Sequence, residues 1–370
     1  MTKGSTSSSW TVRLPMLLLT AALLVGITAV PSKEPAQAAG SGIRYAKVNV
    51  QAAGRSFAVQ TVRIPKGTAT AVGLADRQVG HTSSLSSIAS AYGAKAAIDG
   101  AFFEAYGGPP DPYGTLISGG RLLHIGRYGT TIGFTANGTA MMDTLRMEVT
   151  GQVTPQSGRS SGWYAVWFNR TPASTSSTSI VYTPDRGKTT GFQGGIAVTV
   201  RNGTVTAKGS NTNLSIPTDG YVIVFTGTMK SSADRFVKGA TVSMNKTYTD
   251  INGKPIDWFN VVTAVGAGPR LVKDGSIALN AAAEGFQDPK ILTASGARSG
   301  IAIMADGSVM IATVPGATMK QWAAVMQKLG AKQAMNLDGG ASSGMYVNGK
   351  VVTSPGRTLS NTLVFGGNRS

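Results

Sequence analysis

The chain of 370 residues has no cysteine and only two histidines, His81 and His124. The first absence removes disulfides, thiolate nucleophiles and cysteine-based zinc sites, so stability must come from core burial, which a chain of this length can supply. The second leaves few candidates for a Ser-His-Asp triad or a His-rich metal centre. Acidic residues are scarce as well: 17 Asp and Glu stand against 34 Lys and Arg, a net charge of +17. Such a surface concentrates polyanions. The basic residues are scattered rather than clustered with aromatics, which argues against nucleic acid and leaves anionic wall polymers, or plain solubility at a cell surface, as readings.

Long apolar runs are confined to one place. Lys3 and Arg13 precede the apolar stretch Leu14 to Val30, and Ala36-Gln37-Ala38 follows with small residues. This is the pattern of a secretory signal peptide over residues 1–38. The stretch is interrupted by Pro15, Thr20, Gly26 and Thr28 and falls short of the ~20 clean residues a span prefers. The expectation is a secreted or cell-wall-associated protein with no membrane span in the mature form. Dropping Lys3, Arg13, Lys33 and Glu34 with the signal leaves a charge of +15.

What the chain has in quantity is glycine in turn positions. Asn137-Gly138, Asn202-Gly203, Asp274-Gly275, Asp306-Gly307 and Asn348-Gly349 each sit between apolar or alternating runs, which predicts hairpins, with Asp306 the turn residue of a type I′ loop. The fold class expected is α+β: strand-rich mixed sheets with a few packed helices, one domain after the signal. Residues 39–84 read as N-terminal strands and 85–370 as the main domain, with about 148–260 a less patterned insertion that includes the low-complexity loop TPASTSSTS.

Two helices stand out. Thr318 can cap a segment whose Met319, Trp322, Ala323, Met326 and Leu329 share a face before Gly330. Leu85, Ile88, Ala89 and Tyr92 make a similar stripe before Gly93. After each helix comes Gly-Ala-Lys and a short apolar strand, one stopping at Asp99-Gly100 and the other at Asp338-Gly339. If the strands start alike, both aspartates have the same parity and leave the same face. Either they are two carboxylates of one site, next to glycines that clear space, or each merely caps its own turn.

The ordered blocks IDGAFF, PPDPYGTLISGGRLL, GAGPRLVKDG, ARSGIAIMADG, AMNLDGGASSGM and RTLSNTLVF together resemble the phosphodiester glycosidase family, that of N-acetylglucosamine-1-phosphodiester α-N-acetylglucosaminidase. The resemblance runs from about Leu85 to Phe365. It implies a hydrolase that cleaves between a sugar's anomeric carbon and a phosphodiester. It also implies Asp338 as the main catalytic carboxylate, with Asp99 its partner. Arg298, Arg270 and Arg357 would grip the phosphate, and Asn336, Gly339, Gly340, Ser342, Ser343 and Asn361 would complete the substrate site. Asn169-Arg170 and Tyr182-Thr183-Pro184 match more weakly. Asp99 departs from the family's commoner Asn: ionised, it could only accept hydrogen bonds, which would favour a different sugar or a bound cation.

A phosphate is already a good leaving group, so cations to hold it matter more than a strong general acid. Glu104 could be the second carboxylate or a solvated loop residue. His124 reads as a strand residue before it reads as a base, and Phe102 and Phe103 as one core and one rim side chain. Trp163, Trp167 and Trp258 could stack on sugar rings or simply pack. The reading calls for a sugar phosphate or anionic polysaccharide as substrate, with no cofactor, no metal and no nucleic acid. Two alternatives stay open: a noncatalytic binder of wall-polymer sugar phosphates, and a metal-dependent phosphodiesterase using Asp99 and Asp338.

Overall fold

Three backbone devices written in the local sequence set the frame. Thr318 closes a capping box with Gln321 and starts the helix Met319–Lys328. Ser84 caps Leu85–Ala91 by accepting from Ser87 N. Gly330 and Gly93 end these helices at φ of 83° and 60°. The expected stripes are the buried ones: Met319, Trp322, Ala323 and Met326 in one helix, Leu85, Ile88 and Ala89 in the other.

The computed structural model describes residues 42–367, so the expected signal peptide lies outside the described residues. The described residues form one compact unit, in which sheets of seven, nine, five and five strands are found. Among the described residues no helix is long and apolar enough to cross a membrane.

All five expected hairpins are present. Asn202-Gly203, Asp274-Gly275 and Asn348-Gly349 have positive φ at both residues, as a type I′ turn requires. Asp306-Gly307 does not: only Gly307 is left-handed, at φ 76°, and Gly307 N bonds to Met304 O while Met304 N bonds to Ser308 O. That is a three-residue loop with a glycine bulge, because the Asp306 side chain instead accepts from Ser308 N and Oγ.

The seven-stranded sheet is antiparallel and runs Arg44–Ala52, Arg55–Ile64, Val309–Ala317, Gly296–Met304, Ala331–Asn336, Arg270–Lys273, Ser276–Ile277. A five-stranded sheet faces it, in the order Lys350–Thr353, Met345–Val347, Ala96–Asp99, Asn361–Phe365, Thr70–Leu74. Ile98, Leu363 and Phe365 of the second sheet share one core with Ile301, Ile311 and Met335 of the first. Each fully buried side chain of this size is worth about 1.5–3 kcal/mol. The two helices cover the outer faces: Trp322 and Met326 pack on Ala302 and Ala334, and Leu85 and Ile88 on Ala97 and Val364.

The second helix–strand unit corrects one expectation. Its strand ends at Asn336, two residues before Asp338. The chain then leaves its sheet: Leu337 N still bonds to Ser299 O, but Asp338 N bonds to Gly100 O beside the facing sheet. Strand parity therefore does not align the two aspartates. They approach because the ends of strands from two facing sheets are stitched together.

The segment read as a poorly patterned insertion is a nine-stranded sheet from Arg146–Thr154 to Asn245–Thr249, mixed in direction because Trp167–Phe168 runs parallel to Ser179–Tyr182. Its first strand, RMEVTGQVT, alternates buried and exposed residues almost without exception. Its core is continuous with Ile117, Leu122 and Ala264 of the remaining sheet.

Candidate active site

The stitched strand ends open onto a cleft of about 450 Å³. Of the residues singled out in the sequence, Asp338, Gly339, Gly340, Ser342, Arg298 and Arg357 line it. Phe102 and Phe103 line it as well, the first half-buried and the second 8% exposed.

Asp338 is half-buried. Its Oδ1 accepts from Gly339 N at 2.8 Å, so the turn does cap itself, and the same carboxylate faces the cleft. Burial pushes its pKa up to about 6, against the pull of the Ser342 hydroxyl, the Gly339 amide and the Arg357 guanidinium. It is therefore largely ionised at neutral pH yet able to take a proton. Gly340 holds φ 58° with open space where a Cβ would stand, so the backbone rather than steric relief calls for glycine there.

Asp99 neighbours Asp338 but does not itself line the cleft. It is 1% exposed, and its Oδ1 accepts from Ser299 Oγ at 2.6 Å and Gly344 N at 2.8 Å. Its Oδ2 is buried with no partner among the described residues. Burial first, and the neighbouring Asp338 second, raise its pKa well above the ordinary carboxylate range. Desolvation thus favours the protonated form of Asp99 over the ionised, acceptor-only one, and a protonated Oδ2 can donate, as an asparagine amide would. Among the described residues no group of three or more His, Cys, Asp or Glu side chains gathers as a metal site.

Arg298 is 4% exposed. Its Nε donates to Ala317 O at 2.9 Å and its Nη2 to Lys290 O at 3.0 Å and Ala294 O at 2.6 Å. No carboxylate neutralises it among the described residues; burial alone acts on its pKa, lowering it. A guanidinium fixed by three backbone carbonyls and lining a cleft has the charge and the donors to hold an anion. Arg357 stands near Asp338 and donates from Nη2 to Tyr106 Oη at 3.2 Å.

The structure does not bring the remaining residues to the cleft. Arg270 turns its guanidinium to Met142 O at 2.9 Å and Gln333 Oε1 at 2.9 Å. Asn336 is fully buried and donates to Gly268 O at 3.1 Å and to Leu337 O. Asn361 brackets Ala101, accepting from its N at 2.7 Å and donating to its O at 3.2 Å. Ser343 is buried just behind the cleft, its hydroxyl without a partner among the described residues. Asn336 and Asn361 thus brace the backbone at Leu337 and Ala101, next to Asp338 and Gly100.

Glu104 pins the loop after the Phe pair, accepting from Tyr106 N, Gly107 N and the Tyr113 hydroxyl. His124 is buried, bonds through Nδ1 to Gly114 O, and is held neutral by burial with its pKa down at about 4. Trp163 and Trp258 are buried and bonded to Ser243 O and Asp143, while Trp167 lies between Arg127 and Arg170. The weaker sequence blocks meet each other, Thr183 N donating to Asn169 Oδ1 and Tyr182 Oη to Arg170 O. Sequence reasoning missed Tyr106, Tyr128, Phe286 and Lys290, which also line the cleft. They sit in loops or a single short turn with no periodicity to flag them.

Residues 194–366 match the phosphodiester glycosidase family. That stretch contains Asp338, Arg298 and Arg357; Asp99 and the Phe pair lie before it. A comparison with curated proteins finds no match. Among solved structures, a hypothetical protein from Synechocystis is similar at 26% identity and a TM-score of 0.73, over 88% of this chain and 62% of the other. This chain thus spans under two thirds of that protein's length. A candidate exported protein from Burkholderia pseudomallei is similar at 24% identity and a TM-score of 0.67, over 84% of this chain and 74% of the other. The catalytic domain of zebrafish N-acetylglucosamine-1-phosphodiester α-N-acetylglucosaminidase, auto-inhibited by its pro-peptide, aligns at 12% identity and a TM-score of 0.48, over 88% of this chain and 82% of that one. The phosphodiester glycosidase match includes the four charged cleft residues named above, Lys290, Arg298, Asp338 and Arg357, while Phe102, Phe103, Tyr106 and Tyr128 lie before it.

Proposed function

We propose that the chain is a phosphodiester glycosidase that hydrolyses the bond between a sugar's anomeric carbon and a phosphodiester, of the N-acetylglucosamine-1-phosphodiester type. The observation that carries this reading is one cleft in which Asp338 and the unneutralised Arg298 face the same space. Arg298 takes the phosphate oxygens. The C1–O bond breaks with its electrons leaving on the phosphomonoester, a stable anion, so a strong general acid is not needed. Asp338 either attacks C1, forming a glycosyl ester that water then hydrolyses, or takes the proton from a water that attacks C1 directly, and free sugar is released in both cases. Asp99 acts as a positioning residue: its carboxyl accepts from Ser299 of one sheet and from Gly344, just before the strand Met345–Val347 of the facing sheet.

The signal-peptide pattern in residues 1–38 and the charge of +15 that remains after it support an extracellular site of action on anionic wall or capsular polymers. The test is release of free sugar from UDP-N-acetylglucosamine and from a simple N-acetylglucosamine-1-phosphodiester, for the wild type and Asp338→Asn, with and without EDTA. Release that vanishes in the variant and survives EDTA is expected. Binding of either compound without release would turn the assignment to a noncatalytic sugar-phosphate binder, and release abolished by EDTA to a metal-dependent enzyme.

A further inference from the structure

The mouth of the cleft carries a second cationic group that the chemistry above does not use. The loop after the Phe pair is closed at its base by Glu104 N bonding to Asp111 O and by Tyr113 N bonding to Phe102 O. Glu104 also fixes Tyr106 N and Gly107 N. The loop holds out Tyr106, 78% exposed. Lys290 Nζ lies 5.2 Å from the centre of its ring and the Arg357 guanidinium 5.0 Å. Neither cation has a salt bridge among the described residues. Both line the same cleft as Arg298, and the Lys290 carbonyl itself accepts from Arg298.

The choice of an aromatic ring as tether has a consequence. A carboxylate would hold these cations by cancelling their charge. A ring face holds them by its quadrupole and leaves the charge to act on a third group. A phosphodiester linkage bears a single negative charge, and Arg298 is already placed to receive it. Two further oriented cations at the rim, neither with a salt bridge among the described residues, are matched by an anion farther out on the leaving-group side.

Building on the glycosidase reading, we propose that Lys290 and Arg357, oriented by Tyr106, form an outer subsite for a second phosphate in the aglycone. The enzyme then selects substrates whose leaving phosphate is joined to a second phosphate over those whose leaving phosphate is esterified to a neutral group. The second phosphate is either directly attached, as in a nucleoside diphosphate sugar, or one repeat away, as in a polymer backbone. Tyr106 is a positioning residue here, since it acts through the two cations.

The experiment measures kcat/KM for three substrates: N-acetylglucosamine-1-phosphate methyl ester, UDP-N-acetylglucosamine, and an N-acetylglucosamine-1-phosphodiester of glycerol phosphate. Wild type is compared with Lys290→Gln, Tyr106→Leu and Tyr106→Phe. The expected result is a preference for a second phosphate that drops by about fivefold to tenfold in Lys290→Gln and Tyr106→Leu. Tyr106→Phe, which keeps the ring, retains most of it. Whichever phosphorylated substrate shows the larger preference identifies the source of the second phosphate. No preference in the wild type, or one unchanged in the variants, overturns the proposal. If none of the three releases sugar, the glycosidase reading fails. The subsite is then judged by calorimetry with pyrophosphate and orthophosphate. Tighter pyrophosphate binding that is lost in Lys290→Gln upholds it, and equal affinities overturn it.

Discussion

Replacing Asp99 by asparagine separates a neutral buried acid from a buried charge. Asp99 is 1% exposed, and Ser299 Oγ and Gly344 N both donate to its Oδ1. Asparagine has the shape of the protonated acid: its carbonyl accepts the same two bonds and its amide replaces the unpartnered Oδ2. At pH 4, near the pKa of an unfolded aspartate, the two proteins should therefore differ little in stability. Burial raises the folded pKa of Asp99, so the stability linked to its proton is fully present below the unfolded value of about 3.9 and is lost as pH rises toward the folded one. Within that window the wild type loses about 1.4 kcal/mol per pH unit that the asparagine variant keeps. For a domain of this size that is about 2 °C in Tm per pH unit. Asp338 titrates in both proteins and largely cancels in the difference. The assay is thermal unfolding of both proteins from pH 4 to pH 7. A Tm difference that grows in favour of Asp99→Asn is expected, whereas a flat or shrinking difference would mean that Asp99 is ionised in the fold and would refute the assignment of a neutral donor.

Asp338, with its pKa up at about 6, should give an acid limb in the pH profile of kcat/KM, falling about tenfold per unit below pH 6 as the carboxylate takes a proton; a profile flat from pH 7 to pH 4.5 would remove Asp338 as base or nucleophile. Arg298→Lys should weaken sugar release by about a hundredfold, because one ammonium cannot keep three fixed carbonyl bonds and still grip a phosphate; steady-state kinetics would show it, and near-normal kcat/KM would contradict the anion-holder role. In Gly100→Ala the new Cβ would collide with Asn361 Oδ1, disturbing the bond from Gly100 O that seats Asp338. A loss of about 1–3 kcal/mol in denaturant unfolding is expected, with activity reduced further than stability.

Much of the frame was legible in the sequence because it is local. An Asn-Gly or Asp-Gly pair can turn a chain whatever surrounds it, and all five predicted hairpins formed; only the finer choice at Asp306 depended on a side-chain bond to Ser308. Thr318 and Ser84 announced their helices by residue type and spacing. The nine-stranded sheet was legible in principle from the alternation of RMEVTGQVT and was hidden by the polar, glycine-broken stretches around it.

Tertiary structure alone decided the rest. Asp99 and Asp338 meet because Asp338 N crosses to Gly100 O between facing sheets, a contact between segments far apart in the chain that no strand parity encodes. Arg298 and Arg270 read alike in the sequence, yet one faces the cleft and the other turns to Met142 and Gln333. Tyr106, Lys290 and Arg357 come from three separate segments and become one cluster only where the loops converge. The charge on Asp99 was equally out of reach, since ionisation follows desolvation and neighbouring charge, both properties of the folded surroundings. Backbone conformation and amphipathic faces are set by neighbours along the chain, so the sequence determined the elements. Proximity and burial are set by how those elements pack, so the fold decided which of the candidate residues make the site.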